Sequence, residues 1–179
     1  MKSIYVVRHC EAEGQPAEAP LTESGVKQAD DLVDFFKNKK VERIISSPYK
    51  RAIQTIQPLA NQLQLEIEKN PLLKERELST DSFPDWLEKL KTTYDDLDLK
   101  FKGGESSSEA ANRIKKVVDE IGKSKPDHTI IVTHGNIMSL LLNHYDSQFG
   151  FDRWANLSNP DVYLLKIDEN EVAFERVWS

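Results

Sequence analysis

Ile4-Tyr5-Val6-Val7-Arg8-His9, near the start of the chain, and Thr129-Ile130-Ile131-Val132-Thr133-His134-Gly135, far downstream, decide how this sequence folds. Each is a short, β-branched, almost wholly apolar run that ends on a histidine. A strand with one wet face alternates apolar and polar residues, and these do not. Each therefore reads as a strand of a parallel sheet, buried on both faces and flanked by helical segments. In such sheets the ligand crevice opens outside the carboxyl ends of the strands. Both histidines fall there, and Arg8 comes with the first. An arginine and two imidazoles, with no cysteine cluster nearby, mark an anion site and point to phosphate chemistry.

Working outward, Gly14, Pro16 and Pro20 punctuate a loop that leads to a helix expected over 22–39. Thr22 is its N-cap, and Val26, Ala29, Leu32, Val33 and Phe36 form its buried face. Arg43-Ile44-Ile45-Ser46 reads as a short strand, Pro48 as the start of a helix reaching residue 63, and 64–68 as a brief edge strand. Residues 70–104 are the least regular stretch. Phe83, Trp86, Leu87, Leu90 and Tyr94 suggest a helix started by Pro84, with Trp86 in the core, and the stretch reads as a cap inserted over the crevice. Ser106-x-x-Glu109 is a capping box for a helix with Ala110, Ile114, Val117, Val118 and Ile121 on one face and Gly122 at its end. Ile137, Leu140, Leu141 and His144 mark a further helix. Alternation on either side of Asp168-Glu169-Asn170 predicts a terminal hairpin. His128 is expected in a solvent-side turn, away from any metal. The expected architecture is α/β: a three-layer α/β/α sandwich with a mostly parallel central sheet, a C-terminal antiparallel hairpin and a short helical cap at about 70–104, in one domain spanning 1–179.

The bulk properties narrow the function classes. The chain has 179 residues, 30% of them charged and 39% hydrophobic, with a net charge of −6. That is ordinary for one soluble domain. The negative balance, with no basic stripe, argues against a nucleic-acid partner. No apolar stretch approaches the roughly 20 residues of a membrane helix, and the first strand begins too early for a signal peptide. The single cysteine, Cys10, excludes an internal disulfide and a cysteine-based zinc site. A cytoplasmic protein acting on a small phosphorylated substrate is expected.

A third strand end strengthens the anion reading. Ser46-Ser47-Pro48-Tyr49-Lys50-Arg51 places Arg51 in the first turn of a helix, where a cation is unfavourable unless an anion compensates it. Val7-Arg8-His9, Leu21-Thr22-x-x-Gly25-x-x-Gln28-Ala29, Ser46-Ser47-Pro48-x-x-Arg51-Ala52-x-Gln54-Thr55, Leu73-x-Glu75, Gly104-Glu105-Ser106 and Val132-Thr133-His134-Gly135 follow in order. Together they resemble the histidine phosphatase superfamily, which includes the cofactor-dependent phosphoglycerate mutases.

The resemblance implies that His9 is a nucleophile that becomes phosphorylated on a ring nitrogen before water cleaves it. A backbone carbonyl on its other nitrogen would fix the tautomer. Arg8, Arg51 and His134 would surround the phosphoryl oxygens and replace a magnesium ion, so that no metal or cofactor is needed. Glu75 matches the family's proton donor, with Glu77 as the fallback, while Gln15 and Asn136 complete the substrate-binding candidates. The chain has Cys10 where the family usually has glycine, and it lacks the Gly-x-Trp-x-Gly that often follows the acid in the phosphatases. Lys89, Lys91, Lys100 and Lys102 read as a solvated face rather than a second anion pocket. Hydrolysis of a phosphomonoester is therefore expected over mutase chemistry, with a non-catalytic phospho-ligand binder as a further alternative.

Overall fold

Ile4 and Val6 point to one face of the central strand and Tyr5 and Val7 to the other, and both faces are covered. This is why that strand carries no polar alternation. In the computed structural model, which describes all 179 residues, it is β1 (Lys2–Arg8). The others are β2 (Arg43–Ser46), β3 (Ile67–Lys69), β4 (His128–Thr133), β5 (Asp161–Asp168) and β6 (Glu171–Arg176), in the order β3-β2-β4-β1-β5-β6. The first four run parallel, whereas β5 and β6 are antiparallel.

The helices α1 (Glu23–Phe36) and α2 (Lys50–Leu63) pack on the Tyr5/Val7 face, with Leu32, Phe36, Ile56 and Leu59 in that core. The opposite face is covered by α4 (Ser107–Lys123) and α5 (Gly135–Tyr145). The remaining helices, α3 (Trp86–Asp95) and α6 (Phe151–Ala155), lie outside these layers' main contacts. The three layers, the mixed sheet and the terminal hairpin are as expected. The capping box at Ser106 and Glu109 forms in both directions, and all five apolar residues assigned to the face behind it are buried.

Several local expectations give way to tertiary contacts. The first helix ends at Phe36, and its buried face is Gly25, Ala29, Leu32 and Phe36, while Val26 is 55% exposed. The rotation has a cause: a Cβ on Gly25 would lie 2.1 Å from the Glu11 carbonyl oxygen, so this turn is pressed against the loop and Val26 is carried outward. Pro48 precedes the second helix, whose N-cap is Tyr49. The edge strand lies at Ile67–Lys69, slightly beyond the expected residues. Gly122 sits inside α4, which continues to Lys123. His128 begins β4 and pairs with Glu42 at 2.9 Å rather than occupying a turn. Trp86 opens α3 but is 52% exposed, and the buried residues of that helix are Leu90 and Thr93. No helix is long and apolar enough to cross a membrane.

Candidate functional site

Strand register brings the candidate residues together. Arg8 lies opposite Thr133 and Ser46 opposite Val132, so three parallel strands end level. The chain leaves each at the same height: the His9 amide donates to the Thr133 carbonyl (3.1 Å) and the Ser47 amide to the Val132 carbonyl (2.9 Å). The imidazoles of His9 and His134 then meet edge to face, with centroids 5.1 Å apart.

The His9 ring is held in one tautomer. Its Nδ1 lies 2.7 Å from the Cys10 carbonyl, an acceptor only, so Nδ1 carries the proton and Nε2 the lone pair. Burial holds the imidazole down at about 4, helped by the nearby Arg51 and Arg8 cations and opposed by the Cys10 hydrogen bond. His9 is therefore a neutral base at pH 7. Arg51 Nε donates to its Nε2 at 3.3 Å. The awkward place of Arg51 in the first turn of α2 is offset by carbonyls: Nη1 donates to Gln15 (3.0 Å) and Pro16 (2.8 Å).

Arg8 Nη1 donates to the Leu157 and Ser158 carbonyls, at 3.1 and 3.4 Å. Desolvation lowers its pKa, while Glu75 and Asp161 oppose that shift. A Cβ on Gly135 would stand 2.8 Å from Arg8 Nε, so the Thr-His-Gly turn needs glycine to let the guanidinium pass. His134 is fully buried, and burial pushes it well below the usual histidine range, with neighbouring cations adding to the shift. Its Nε2 meets the Ser47 hydroxyl at 2.8 Å. That hydroxyl also accepts the Tyr49 amide and keeps its own proton, which, donated to Nε2, would place the His134 proton on Nδ1. Arg8 Nε and His134 Nδ1 are both buried without a hydrogen-bond partner. Two such orphan donors beside a neutral imidazole fit an anion that would complete them.

Glu75 reaches the same place from the loop after the 3-10 turn Pro71–Leu73. Its Oε1 accepts the Ile137 and Arg76 amides (2.9 and 2.8 Å) and its Oε2 the Asn136 amide (3.0 Å), so the carboxylate sits on the N-terminus of α5. Glu77 is exposed, with its backbone tied to Glu105. Asn136 lies in the site, but its side chain is engaged by Tyr94 and Arg76 rather than turned toward His9. Gln15 is exposed at the rim. Cys10 is fully buried, without a positive φ, and its amide donates to Thr55 Oγ1. Burial pushes its thiol up to about 12, so it is inert packing where the family has glycine.

A cavity of about 990 Å³ adjoins this cluster; its inner end is the part of the lining shared with the cluster, Arg51 and Glu75, and its outer wall is residues 77–83, Trp86 and 103–105. His9 lies behind Arg51. Of the arginines along the wall, Arg113 is fully engaged, while Arg76 is tied through Nε and Nη1 and keeps a buried Nη2 without a partner. Arg113 donates to the carbonyls of Leu72, Lys74 and Glu75 and to the Glu105 carboxylate, and Arg76 donates to the Glu105 carbonyl and Asn136. Lys89 pairs with Asp85 and Lys100 with Glu109, and none of the four lysines expected on a solvated face lines the cavity.

Sequence reading missed Ser47, Arg76, Arg113, Asn159 and Asp161. Asn159 Nδ2 donates to the His9 carbonyl (3.0 Å), and buried Asp161 accepts from Arg176 Nε (2.8 Å) beside Arg8. The doubled serine before Pro48 was a usable signal for Ser47. The other four act across the fold and leave no local trace.

The profile of the histidine phosphatase superfamily (branch 1) matches residues 4–178. A probable phosphoglycerate mutase of Proteus mirabilis is 28% identical over 160 residues, covering 80% of this chain and 74% of that protein. Phosphoserine phosphatase 1 of Hydrogenobacter thermophilus is 28% identical over 153 residues, covering 74% of this chain and 70% of its own. Among solved structures, a mycobacterial glucosyl-3-phosphoglycerate phosphatase with inorganic phosphate superposes with a TM-score of 0.79 at 21% identity, over 99% of this chain and 97% of that one.

Proposed function

The chain belongs to the histidine phosphatase superfamily, and from that premise we propose that it hydrolyses a small phosphomonoester through a phosphohistidine on His9, without a metal. The observation that carries the reading is the His9 tautomer. With Nδ1 donating to the Cys10 carbonyl, the lone pair is left on Nε2 for attack, with Arg51 Nε 3.3 Å from that atom and the His134 ring 5.1 Å away, centroid to centroid.

In the first step His9 Nε2 bonds to phosphorus as the ester P–O bond breaks. Arg51 leaves Nε2 for the phosphoryl oxygens, where Arg8 and His134 join it and stabilise the developing charge. The departing alkoxide takes a proton from Glu75, which lines the cavity, enters this step as the neutral acid and leaves it as the carboxylate. In the second step Glu75 takes a proton from water, the resulting hydroxide forms the new P–O bond, and the P–N bond breaks to regenerate His9. Residues 70–104 act as the cap over this site, and the substrate enters from solvent.

The two curated relatives divide between mutase and phosphatase, so their names do not choose between the reactions. The cavity favours hydrolysis. A mutase needs a second anion pocket and a dry phosphohistidine. Here Arg113 is held by protein groups, Arg76 has only Nη2 left over, and Glu77, Thr80, Asp81 and Ser82 are exposed to water along the cavity.

The test is phosphate release across a panel of phosphorylated metabolites with chelator present and His9→Ala as the blank. Release that survives the chelator and vanishes in the variant is expected, with a trapped phosphoenzyme that is labile in acid and stable in base. A need for added divalent metal would overturn the mechanism. Activation by a bisphosphate primer, with phosphate moving between hydroxyls of the substrate, would favour the mutase reading.

A further inference from the structure

We infer that Trp86 selects the leaving group, and that the preferred substrate carries its phosphate on an alcohol built around a ring, which stacks on the indole. This rests on the phosphatase reading above and names the substrate class of that site.

Size comes first. A cavity of about 990 Å³ is at the upper end for drug-sized ligands, and a three-carbon alcohol would fill only a small part of it. The phosphoryl group itself belongs at the inner end, by Arg51 and Glu75. Most of the volume is therefore left to the alcohol.

The chemistry of the wall comes next. Leu78, Phe83 and Trp86 supply an apolar surface, with the hydroxyl residues Ser79, Thr80 and Ser82 interleaved. Trp86 is 52% exposed, the most exposed aromatic of the chain's large hydrophobic residues. An indole left in water at the opening of a cavity forgoes burial that a ligand's apolar face would restore. Rings of sugars and aryl groups offer such a face together with polar edges for the hydroxyls.

The indole is also presented on an ordered support. The Trp86 amide donates to the Phe83 carbonyl at 3.3 Å. The Phe83 ring packs edge to face on Phe101 at 5.6 Å, with Lys89 Nζ 4.8 Å from its centroid. The Thr80 amide and the Ser79 hydroxyl both donate to the Lys102 carbonyl, at 2.9 and 2.7 Å. A preorganised surface of this kind costs little to order when a ligand arrives.

The experiment compares Trp86→Ala, Trp86→Phe and wild type on a hexose phosphate, an aryl phosphate and glycerol phosphate. Trp86→Ala is expected to lower kcat/KM about tenfold on one or both ring substrates, through KM, and to leave glycerol phosphate within about twofold. Trp86→Phe should keep most of the preference. Which ring substrate responds identifies the source as sugar or aryl. Equal loss on all three substrates, or no loss on either ring, would overturn the inference. In a His9→Ala background, calorimetric binding of the same phosphates gives a readout that does not need turnover. A Trp86-dependent ring preference there upholds the inference even if no hydrolysis is found, whereas hydrolysis without that preference sinks it alone.

Discussion

His9, which bonds to the cavity-lining Arg51, and Trp86, which lines the same cavity, are placed by different routes. His9 is delivered by a seven-residue strand hydrogen-bonded to neighbours on both sides. Trp86 is delivered by the first turn of a ten-residue helix that buries only Leu90 and Thr93. At the inner end most polar groups have a partner from another element, and Arg51 and His134 are buried while Arg8, His9 and Glu75 are half-buried. At the outer wall most ties run within residues 77–105, with Arg76 and Arg113 holding its end at Glu105, and most side chains are exposed or half-buried. The difference teaches where chemistry and selectivity can be separated: a change at the inner end should alter the reaction itself, and a change at the wall should alter only which alcohol is accepted.

The largest expected effect lies with the nucleophile. His9→Ala should lower phosphate release at least about 10⁴-fold, as loss of a nucleophile does elsewhere, in a single-turnover assay. If the outer wall carried the reaction, this variant would retain measurable turnover. Arg51→Ala should follow, with a loss of about 10²–10³ in kcat from the missing transition-state donor. Glu75→Gln should lose about 10² on a substrate with a poor leaving group and markedly less on 4-nitrophenyl phosphate, whose alkoxide needs no proton. Equal losses on both substrates would remove Glu75 from the acid role.

Acid should weaken the inner end first. The folded pKa of His9 is lowered to about 4 and that of His134 is lowered as well, so both are neutral in the native state at pH 6.5. Below pH 6.5 the unfolded chain binds protons that the native state refuses. Stability is therefore lost as pH falls from 6.5 toward 4, by about 3 kcal/mol for His9. Urea unfolding at pH 7 and pH 4.5 should show the drop, and it should shrink in His9→Ala. The smallest effect is expected away from the cavity: Lys89→Ala breaks an exposed pair with Asp85 and should leave the urea midpoint nearly unchanged.

The same contrast governs what could be read without coordinates. The strands beneath His9 and His134 were legible because burial on both faces leaves an unmixed apolar run. The capping box at Ser106 was legible because both partners lie within one turn. Trp86 was misread because an apolar residue at helical spacing signals a core unless something else explains its exposure. Val26 was misread because the rotation of its helix is set by Gly25 against the Glu11 carbonyl, a contact across the loop. At the candidate site, Arg8, His9, Arg51, His134 and Glu75 lie in one cluster, and each belongs to a motif at or just beyond a strand or turn end. Ser47 and Asn159 bond to His134 and His9 from distant parts of the chain, and no spacing rule reports an amide from residue 159 on the carbonyl of residue 9.

Arg113 grips both roots of the outer wall: the carbonyls of Leu72, Lys74 and Glu75 at one root and the Glu105 carboxylate at the other. The stretch between those roots is thus mounted like an exchangeable fitting. Drift, insertion or wholesale replacement within it leaves Glu75 seated on its helix, so new substrate preferences can evolve, or be grafted, on an unchanged engine.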